Sequence, residues 1–328
     1  MFVDSAKIKV KSGDGGKGCE SFFRRTDKKT VPNGGHGGGG GDIIFEADRN
    51  ESNLQFYSFR HFFEARKGDA GSSNQKAGKK GADLTLKVPC GTSIYNLEKD
   101  FLIRDLIQHG DRVIALKGGR GGCGNDHIRQ ATEGKPGEEM ELLLDYVLVS
   151  DIFLVGMPNS GKSSLLRAIT GSKVKSESYP FSTRVPQLGT YETDKYDRLT
   201  ICELPSLERG SYEGKGLGNL FLKHLRRAKL IFFVLDPISD FAQDLKLQKE
   251  VLEDEIGRFD ESLNQIPHFY VINKLDLVTN SKGMGKKVFG SYTFYVSSVS
   301  GEGISHLMRQ AEIYITEQRS KSKGAFEV

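Results

Sequence analysis

The sequence contains no tryptophan and only four cysteines among its 328 residues. Cys19, Cys90, Cys123 and Cys202 lie far apart and form neither a Cys-x-x-Cys pair nor a histidine and cysteine spacing suited to a metal. This argues against zinc and iron–sulfur sites and favours reduced free thiols. No apolar run approaches the roughly 18 residues that a membrane-spanning helix needs. The first residues also lack a signal or transit-peptide layout, so we expect a cytoplasmic protein without stable membrane insertion.

The sequence also lacks a strong excess of charge, since 47 basic residues stand against 43 acidic ones, a net charge of +4. This balance does not by itself indicate a nucleic-acid partner. Basic residues nevertheless cluster in FFRRTDKKT, EARKGD and QKAGKKGAD, all within the first hundred residues. A solvated surface and contact with a phosphate backbone are both open for these clusters.

Glycine divides the chain into two parts, because 24 of its 39 glycines lie in residues 1–150. Short alternating runs such as AKIKVKS, GDIIFEA and RVIALKG predict strands there, separated by PNGGHGGGGGD and GGRGGCGN. Collagen is excluded because no Gly-x-y period is present. The glycine segments are either disordered linkers or extended chains that pack closely side by side, as residues without a Cβ allow. Their position between strands favours the second interpretation.

After residue 140 the pattern changes to apolar strand-like runs alternating with helical patterns. The first apolar run is ELLLDYVLVSDIFLVGMP, and further strand-like runs follow at RLTICELP, LIFFVLDP, HFYVINKLD and YTFYVSS. Helical patterns occur in LGNLFLKHLRRAK and LQKEVLEDEIGRF. This alternation predicts a doubly wound α/β fold with a mostly parallel sheet. A single core rarely exceeds about 300 residues. We therefore expect an all-β, glycine-rich domain over 1–150 and an α/β domain over 151–328.

The string GMPNSGKSS matches the phosphate-binding loop G-x-x-x-x-G-K-[ST], follows an apolar strand and precedes a helix. Backbone N–H groups and the helix N-terminus would face phosphate oxygens. Lys162 would reach the β- and γ-phosphates and Ser163 would ligate Mg²⁺. The loop alone does not distinguish ATP from GTP. The candidate ligands are Gly156, Met157, Pro158, Asn159, Ser160, Gly161, Lys162, Ser163 and Ser164.

The string VINKLD places Asn273, Lys274 and Asp276 directly after another apolar strand, in the crevice position where such sheets bind ligands. The Asp276 carboxylate would accept hydrogen bonds from guanine N1–H and its exocyclic amine, a donor pair that adenine lacks. The Lys274 stem would lie along the ring, and Asn273 would brace the loop. Further on, VSSVSGEG offers a segment to close over the base: Ser297, Ser298 and Val299.

Two segments are candidates for sensing the γ-phosphate. In YPFSTRVPQLG, a hydroxyl would complete the Mg²⁺ shell; Thr183 is the best candidate and Ser182 the alternative, with Phe181 beside them. In ICELPSLERG, the equivalent segment is Glu203, Leu204, Pro205 and Ser206. The candidate catalytic residues are Lys162 and Thr183, and the candidate metal ligands are Ser163 and Thr183.

With these motifs in register, the chain resembles the Obg family of GTPases over essentially its whole length. The family's glycine-rich N-terminal domain is similar to MFVDSAKIKVKSGDGGKG, VPCGTSIYN and LKGGRGGCGN of this sequence, and its G domain is similar to GKGLGNLFLKHLRRA and NKLD. The resemblance implies polyproline-type glycine helices on a β-barrel-like base, followed by a P-loop G domain. It also implies slow Mg²⁺-dependent GTP hydrolysis and a role in assembly of the large ribosomal subunit. The implied partner is that subunit or its precursor, including its rRNA. It leaves open a role in stress or growth control.

The chain departs from the family pattern in two respects. Many members carry a further C-terminal domain, and we expect this form to lack it. Where the family pattern is Asp-x-Pro-Gly, this chain has Glu203, Leu204, Pro205 and Ser206. As the family leads one to expect, Leu207 holds the place of the water-positioning glutamine of other GTPases, so hydrolysis should be slow. Asn159 is of the type that holds a K⁺ ion near the phosphates in some related GTPases; a purely structural role is equally open.

The motifs and the family resemblance leave three candidate functions. The first is a slow GTPase, monomeric, acting in large-subunit assembly. The second is a guanine-nucleotide sensor with negligible hydrolysis, because of the altered Glu203 and Ser206. The third is an ATP-dependent transferase on the same loop, which Asp276 disfavours.

Overall fold

The computed structural model describes residues 2–24, 26, 29–171, 186–193, 198–211, 221–238, 244–278 and 289–324, with side chains of the last segment described to residue 318. The chain divides into two compact units, Met1–Leu148 and Val149–Val328. Among the residues that the structure describes, none of the helices combines the length and the apolar composition of a membrane-spanning segment.

In its described residues, the first unit is built from short strands and one short helix. A five-stranded sheet has the order β5-β1-β10-β7-β8, a three-stranded sheet the order β6-β4-β9, and β2 pairs with β3. The elements are β1 Ser5–Lys11, β2 Phe22–Arg24, β3 Thr30–Pro32, β4 Ile43–Asp48, α1 Gln55–Phe59, β5 Phe62–Glu64, β6 Leu84–Pro89, β7 Thr92–Asn96, β8 Phe101–Leu106, β9 Arg112–Leu116 and β10 Glu139–Tyr146.

The glycine segments of this unit are ordered by hydrogen bonds to one another. Segments 13–18, 34–41 and 118–124 form a closed cycle: Gly40 N donates to Gly119 O (2.8 Å), Gly119 N to Gly13 O (2.9 Å) and Gly13 N to Gly41 O (2.9 Å). A second cycle joins 34–41 to the chains around Asp69 and Lys79. The interpretation of these segments as disordered linkers is therefore wrong.

Close approach explains why these segments need glycine. A Cβ added to Gly40 would overlap the Gly13 carbonyl, and one added to Gly13 would overlap that of Arg66. Since the overlapping atoms belong to backbones that are themselves hydrogen-bonded, no side-chain movement can relieve the clash. The glycine-rich composition is thus a packing requirement.

The second unit contains a six-stranded sheet of order β12-β13-β11-β14-β15-β16, parallel except for the β12–β13 pair. The described elements are β11 Ile152–Gly156, α2 Lys162–Thr170, β12 Gln187–Glu192, β13 Arg198–Glu203, a 3-10 helix Lys223–Arg227, β14 Leu230–Leu235, α3 Leu245–Phe259, a 3-10 helix Glu261–Gln265, β15 His268–Ile272, a 3-10 helix Leu275–Leu277, β16 Thr293–Tyr295 and α4 Ile304–Gly324.

The central strands of the sheet form the core of the second unit. β11 and β14 are buried at every residue, as expected for apolar strands covered on both faces. One core cluster joins alternate residues of these strands to α2 and α4, and α3 packs against β14. These features confirm the predicted α/β fold with a mostly parallel sheet.

Two details differ from the sequence-based expectation. The run ELLLDYVLVSDIFLVGMP, interpreted as one apolar entry into the α/β pattern, contains two separate strands: ELLLDY belongs to β10, which lies before the predicted boundary at 150 and pairs antiparallel with β1. Apolar content alone could not assign it to a sheet. Within the predicted helix LGNLFLKHLRRAK, the part from Lys223 to Arg227 is a 3-10 helix.

Candidate functional site

The loop GMPNSGKSS lies between β11 and α2, at the carboxyl end of a central strand. Helix α2 begins at Lys162, directly after Gly161, whose φ of 88° is one that glycine adopts readily. A Cβ at Gly161 would also overlap the Asn273 side chain. Asn159 takes a φ of 61° and is exposed. Met157 and Pro158 are half-buried, Ser160 is buried and Ser164 is exposed in the first turn of α2.

Lys162 is buried within this loop. Its Nζ donates to Gly156 O (2.9 Å), Met157 O (2.9 Å) and Ser206 Oγ (3.0 Å). Burial lowers the pKa of Lys162 from 10.5 to about 8, with partial opposition from the Glu203 carboxylate. Because anionic phosphate oxygens favour the protonated ammonium, a phosphate at this loop would reverse that shift.

Glu203, at the end of β13, reaches the first turn of α2 directly. Ser163 Oγ donates to Glu203 Oε1 at 2.6 Å. Burial raises the pKa of Glu203, against the effects of the Ser163 hydrogen bond and of the Lys162 and Arg167 charges. Its second oxygen, Oε2, is buried and has no hydrogen-bond partner among the described residues.

This oxygen set fits Mg²⁺. A serine hydroxyl and a carboxylate with an unpartnered buried oxygen are hard oxygen donors, which Mg²⁺ prefers and takes in small number beside substrate phosphates. Clusters of three or more His, Cys, Asp or Glu side chains that could hold a metal are absent from the described part of the chain. A metal at this site would therefore depend on few protein ligands, as nucleotide-bound Mg²⁺ does.

The segment after Glu203 lies against the phosphate loop. Leu204 N donates to Leu154 O (3.1 Å), and Leu207 N donates to Gly156 O (3.2 Å). Pro205 and Leu207 are buried. The Ser206 hydroxyl accepts from Lys162, a side-chain contact that the sequence motif does not indicate. A glycine there, as in the family pattern, would lack this contact.

The base segment 273–276 follows β15 and contacts the phosphate loop through Asn273, which is buried. Asn273 Nδ2 donates to Ser160 O (3.1 Å), while Asn273 Oδ1 accepts from Ser298 N (3.1 Å) and Ser298 Oγ (2.7 Å). One amide therefore joins three separate parts of the sequence at one edge of the sheet.

Asp276 is exposed and oriented by a buried serine. Ser297 Oγ donates to Asp276 Oδ1 at 2.5 Å and accepts from Ser300 N at 3.0 Å. Val299 is 83% exposed and follows these serines at the rim. The structure thus brings Ser297, Ser298 and Val299 beside the base segment.

Sequence reasoning missed Asp236, which stands directly after β14. Lys274 Nζ donates to Asp236 Oδ2 at 2.6 Å. A signal was present in the sequence, because Asp236 ends the apolar run LIFFVLD and ligand-facing residues of parallel sheets lie at such strand ends. Phe181, Ser182 and Thr183 lie outside the described residues.

The comparisons with known proteins agree over both units. The family description GTP1/OBG matches residues 3–146, and the description 50S ribosome-binding GTPase matches residues 151–274. The GTPase Obg of Chlorobaculum tepidum is 38% identical over 315 residues, covering 93% of each chain. That of Desulfatibacillum aliphaticivorans is 37% identical over 319 residues, covering 94% of this chain and 95% of its own.

These relatives are named as GTPases, and the comparisons do not support the alternative of a sensor with negligible hydrolysis. Guanine nucleotide is accordingly the ligand class. Similarity of this strength over nearly the whole chain shows the family: this chain is a GTP hydrolase of the Obg family.

Proposed function

We propose that the phosphate loop and the base segment together form the site of GTP hydrolysis, and that the protein acts there as a slow, Mg²⁺-dependent factor in large ribosomal subunit assembly. The observation that carries the assignment is the Asn273 to Ser160 hydrogen bond. It holds the guanine-reading segment at the same sheet edge as the phosphate loop, at the carboxyl ends of parallel strands, where such folds bind nucleotides.

At the phosphate end, Lys162 exchanges its contacts with Gly156 O, Met157 O and Ser206 Oγ for phosphate oxygens. Its burial makes the ammonium costly without an anion, so the anion's charge contributes to binding. N–H groups at the start of α2 face the same position.

Ser163 and Thr183 are the proposed Mg²⁺ ligands, with Glu203 beside them. When bound, Mg²⁺ neutralises charge that develops on the β- and γ-phosphate oxygens. Glu203 accepts from Ser163, so it holds that hydroxyl in place. Thr183 is proposed from the sequence alone.

Slow hydrolysis follows from what stands near the γ-phosphate position. Leu207, in the place of a water-positioning glutamine, has no polar side-chain atom and is 1% exposed. Ser206 engages Lys162, and Glu203 engages Ser163, so two groups needed for the reaction are held by the 203–206 segment. Breaking these contacts during the reaction costs free energy, and that cost adds to the barrier.

At the base end, Asp276 selects guanine by accepting from N1–H and the exocyclic amine, because its carboxylate can accept two parallel hydrogen bonds. Ser297 limits rotation of that carboxylate, and Ser298 closes beside Asn273. Asn159 is proposed to hold K⁺ beside the phosphates. Hydrolysis should then be faster in K⁺ than in Na⁺, and equal rates would remove this part of the proposal.

The proposed partner is the large ribosomal subunit or its precursor, including rRNA, and the proposed location is the cytoplasm. Support comes from the family description 50S ribosome-binding GTPase and from the exposed lysines of the first unit. Lys80 is held by Asp42 and Asp83 at 2.8 Å each. Lys76 and Lys79 are exposed and form no ion pair with another described residue, so they are the better candidates for phosphate contact.

Sedimentation of cell extract with GDP, GTP or a non-hydrolysable GTP analogue tests the partner assignment. We expect the protein to migrate with large-subunit particles in a nucleotide-dependent manner. Replacing Lys76 and Lys79 by Ala should weaken this association and reduce its salt dependence while GDP affinity is unchanged. Sedimentation independent of nucleotide, or an unchanged salt dependence, would contradict the proposal.

A further inference from the structure

We infer that Asp236 is a positioning residue of the guanine site: its carboxylate fixes Lys274, and through it the base segment 273–276, before nucleotide binds. The inference rests on the base site proposed above and extends it to a residue outside the sequence motifs. Asp236 belongs to a different strand, β14, from the one that carries the base segment, β15.

Asp236 is itself rigidly held. Its N–H donates to Gln248 Oε1 (3.0 Å), and its carbonyl accepts from Gln248 Nε2 (2.7 Å). Its carboxylate Oδ1 accepts from Ile238 N (2.9 Å). Asp236 and Gln248 are 3% and 1% exposed. Helix α3 therefore fixes the backbone of Asp236, and the carboxylate points its second oxygen in one direction.

Lys274 is the group that needs fixing. Its φ is 61°, in the left-handed region that a non-glycine residue occupies only when its surroundings impose it. Its Nζ lies 2.6 Å from Asp236 Oδ2, and its side chain is partly buried. Because a buried carboxylate requires a charged partner, Asp236 holds the ammonium and limits the directions in which the four-carbon stem can run.

The consequence for nucleotide binding is preorganisation. Backbone contacts flank Lys274 on each side, since Asn273 N donates to Leu235 O (2.9 Å) and Leu275 N to Val296 O (3.2 Å). The side chain between them is held by Asp236 alone among the described residues. Because the Lys274 side chain is fixed in advance, nucleotide binding does not carry the cost of ordering it. Its apolar stem then stays beside the position of the base.

A double-mutant cycle on the full chain tests this role. GDP affinity is measured by calorimetry for the wild type, Asp236→Asn, Lys274→Met and the double variant. Asn keeps the shape and the contact to Ile238 but removes the charge, and Met keeps an apolar stem. Asp254→Asn, which removes a carboxylate from an exposed pair with Arg258 on α3, is the matched control.

We expect Asp236→Asn to weaken GDP binding on the order of 10-fold, the size of coupling typical of residues in one charged network. In the Lys274→Met background the same change should alter affinity by less than about 2-fold. Asp254→Asn should bind as the wild type. Thermal melting of the nucleotide-free variants verifies that each is folded at the temperature of the measurement.

An equal loss of affinity in both backgrounds would show that Asp236 acts on the fold rather than through Lys274, and would overturn the inference. Unchanged affinity of Asp236→Asn would also overturn it. If the wild type and Asp254→Asn fail to bind GDP, the proposed base site itself is wrong, which is a separate result.

Discussion

Asn273 and Ser160 lie 113 positions apart in sequence, yet the Asn273 side chain donates a 3.1 Å hydrogen bond to the Ser160 carbonyl. The other end of the same amide accepts from Ser298. The phosphate loop, the base segment and the loop after β16 are therefore coupled through one buried side chain. A change at any of the three should be felt at the other two.

The first prediction follows from this coupling. Asn273→Ala leaves the Ser160 carbonyl and the Ser298 hydroxyl without this partner, which should cost about 2 kcal/mol of stability. GDP affinity should fall by about 10-fold or more, since the two ends of the site lose their connection. Calorimetric titration measures the GDP affinity. Asn264→Ala, at an exposed residue of the same unit, is the control, and equal affinities of the two variants would contradict the coupling.

The second prediction concerns the contacts of Glu203 and Ser206. Glu203→Asp with Ser206→Gly restores the family pattern, frees the Ser163 hydroxyl and removes an acceptor of Lys162. GTP hydrolysis in a single turnover should rise by about 10-fold, because errors of 1 Å in a positioned group cost on the order of 100-fold in rate. Each single variant should give part of the effect. An unchanged rate, with unchanged preference between GTP and GDP, would show that these contacts do not limit the reaction.

The third prediction tests the glycine packing with two neighbouring residues. Gly40→Ala places a methyl group against the Gly13 carbonyl, and should destabilise the first unit by about 3 kcal/mol or more. Gly39→Ala meets nothing closer than 3.6 Å and should change stability by less than about 1 kcal/mol. Scanning calorimetry of the full chain separates them. Similar melting temperatures for the two variants would refute the packing argument.

The fourth prediction concerns pH. Burial, with a smaller effect from the Lys223 charge, lowers the pKa of His224 from 6.5 to about 3. The unfolded chain therefore binds the proton more readily, and stability falls as pH drops from 6.5 towards 3. Between pH 7 and pH 5 the loss from this residue should be about 2 kcal/mol.

His224→Gln cannot be protonated in this range, so the variant should show less acid destabilisation than the wild type. Hydrogen-exchange protection of the β14 amides at the two pH values measures the difference within the second unit. Parallel losses in wild type and variant would contradict a buried neutral histidine.

The parts of the candidate site that the sequence could predict are short contiguous motifs. The loop around Lys162, the segment from Asn273 to Asp276 and the serines after β16 are each readable because their residue types follow from contiguous backbone geometry. The alternation of apolar runs likewise predicted the parallel sheet. Thr183 and its neighbours remain predictions from sequence.

What the patterns could not supply were contacts between distant segments. The Ser206 hydroxyl on Lys162 and the Asp236 carboxylate on Lys274 each depend on which strand ends lie side by side. The cyclic hydrogen bonds between the glycine segments are equally nonlocal, since any one segment is indistinguishable from a flexible linker. For the same reason the sequence did not separate β10 from the apolar run that leads into β11, because the partner of β10, strand β1, lies at the start of the chain.

We propose that this site hydrolyses GTP, that Asp276 selects guanine and that Lys162 is required for the reaction. The most direct measurement is phosphate release over several turnovers, with GTP or ATP, in Mg²⁺ or in chelator, for the wild type and Lys162→Ala. We expect slow release from GTP in Mg²⁺ only, no release from ATP, and loss of activity in the variant. Equal release from ATP, or release from GTP that persists in Lys162→Ala, would contradict it.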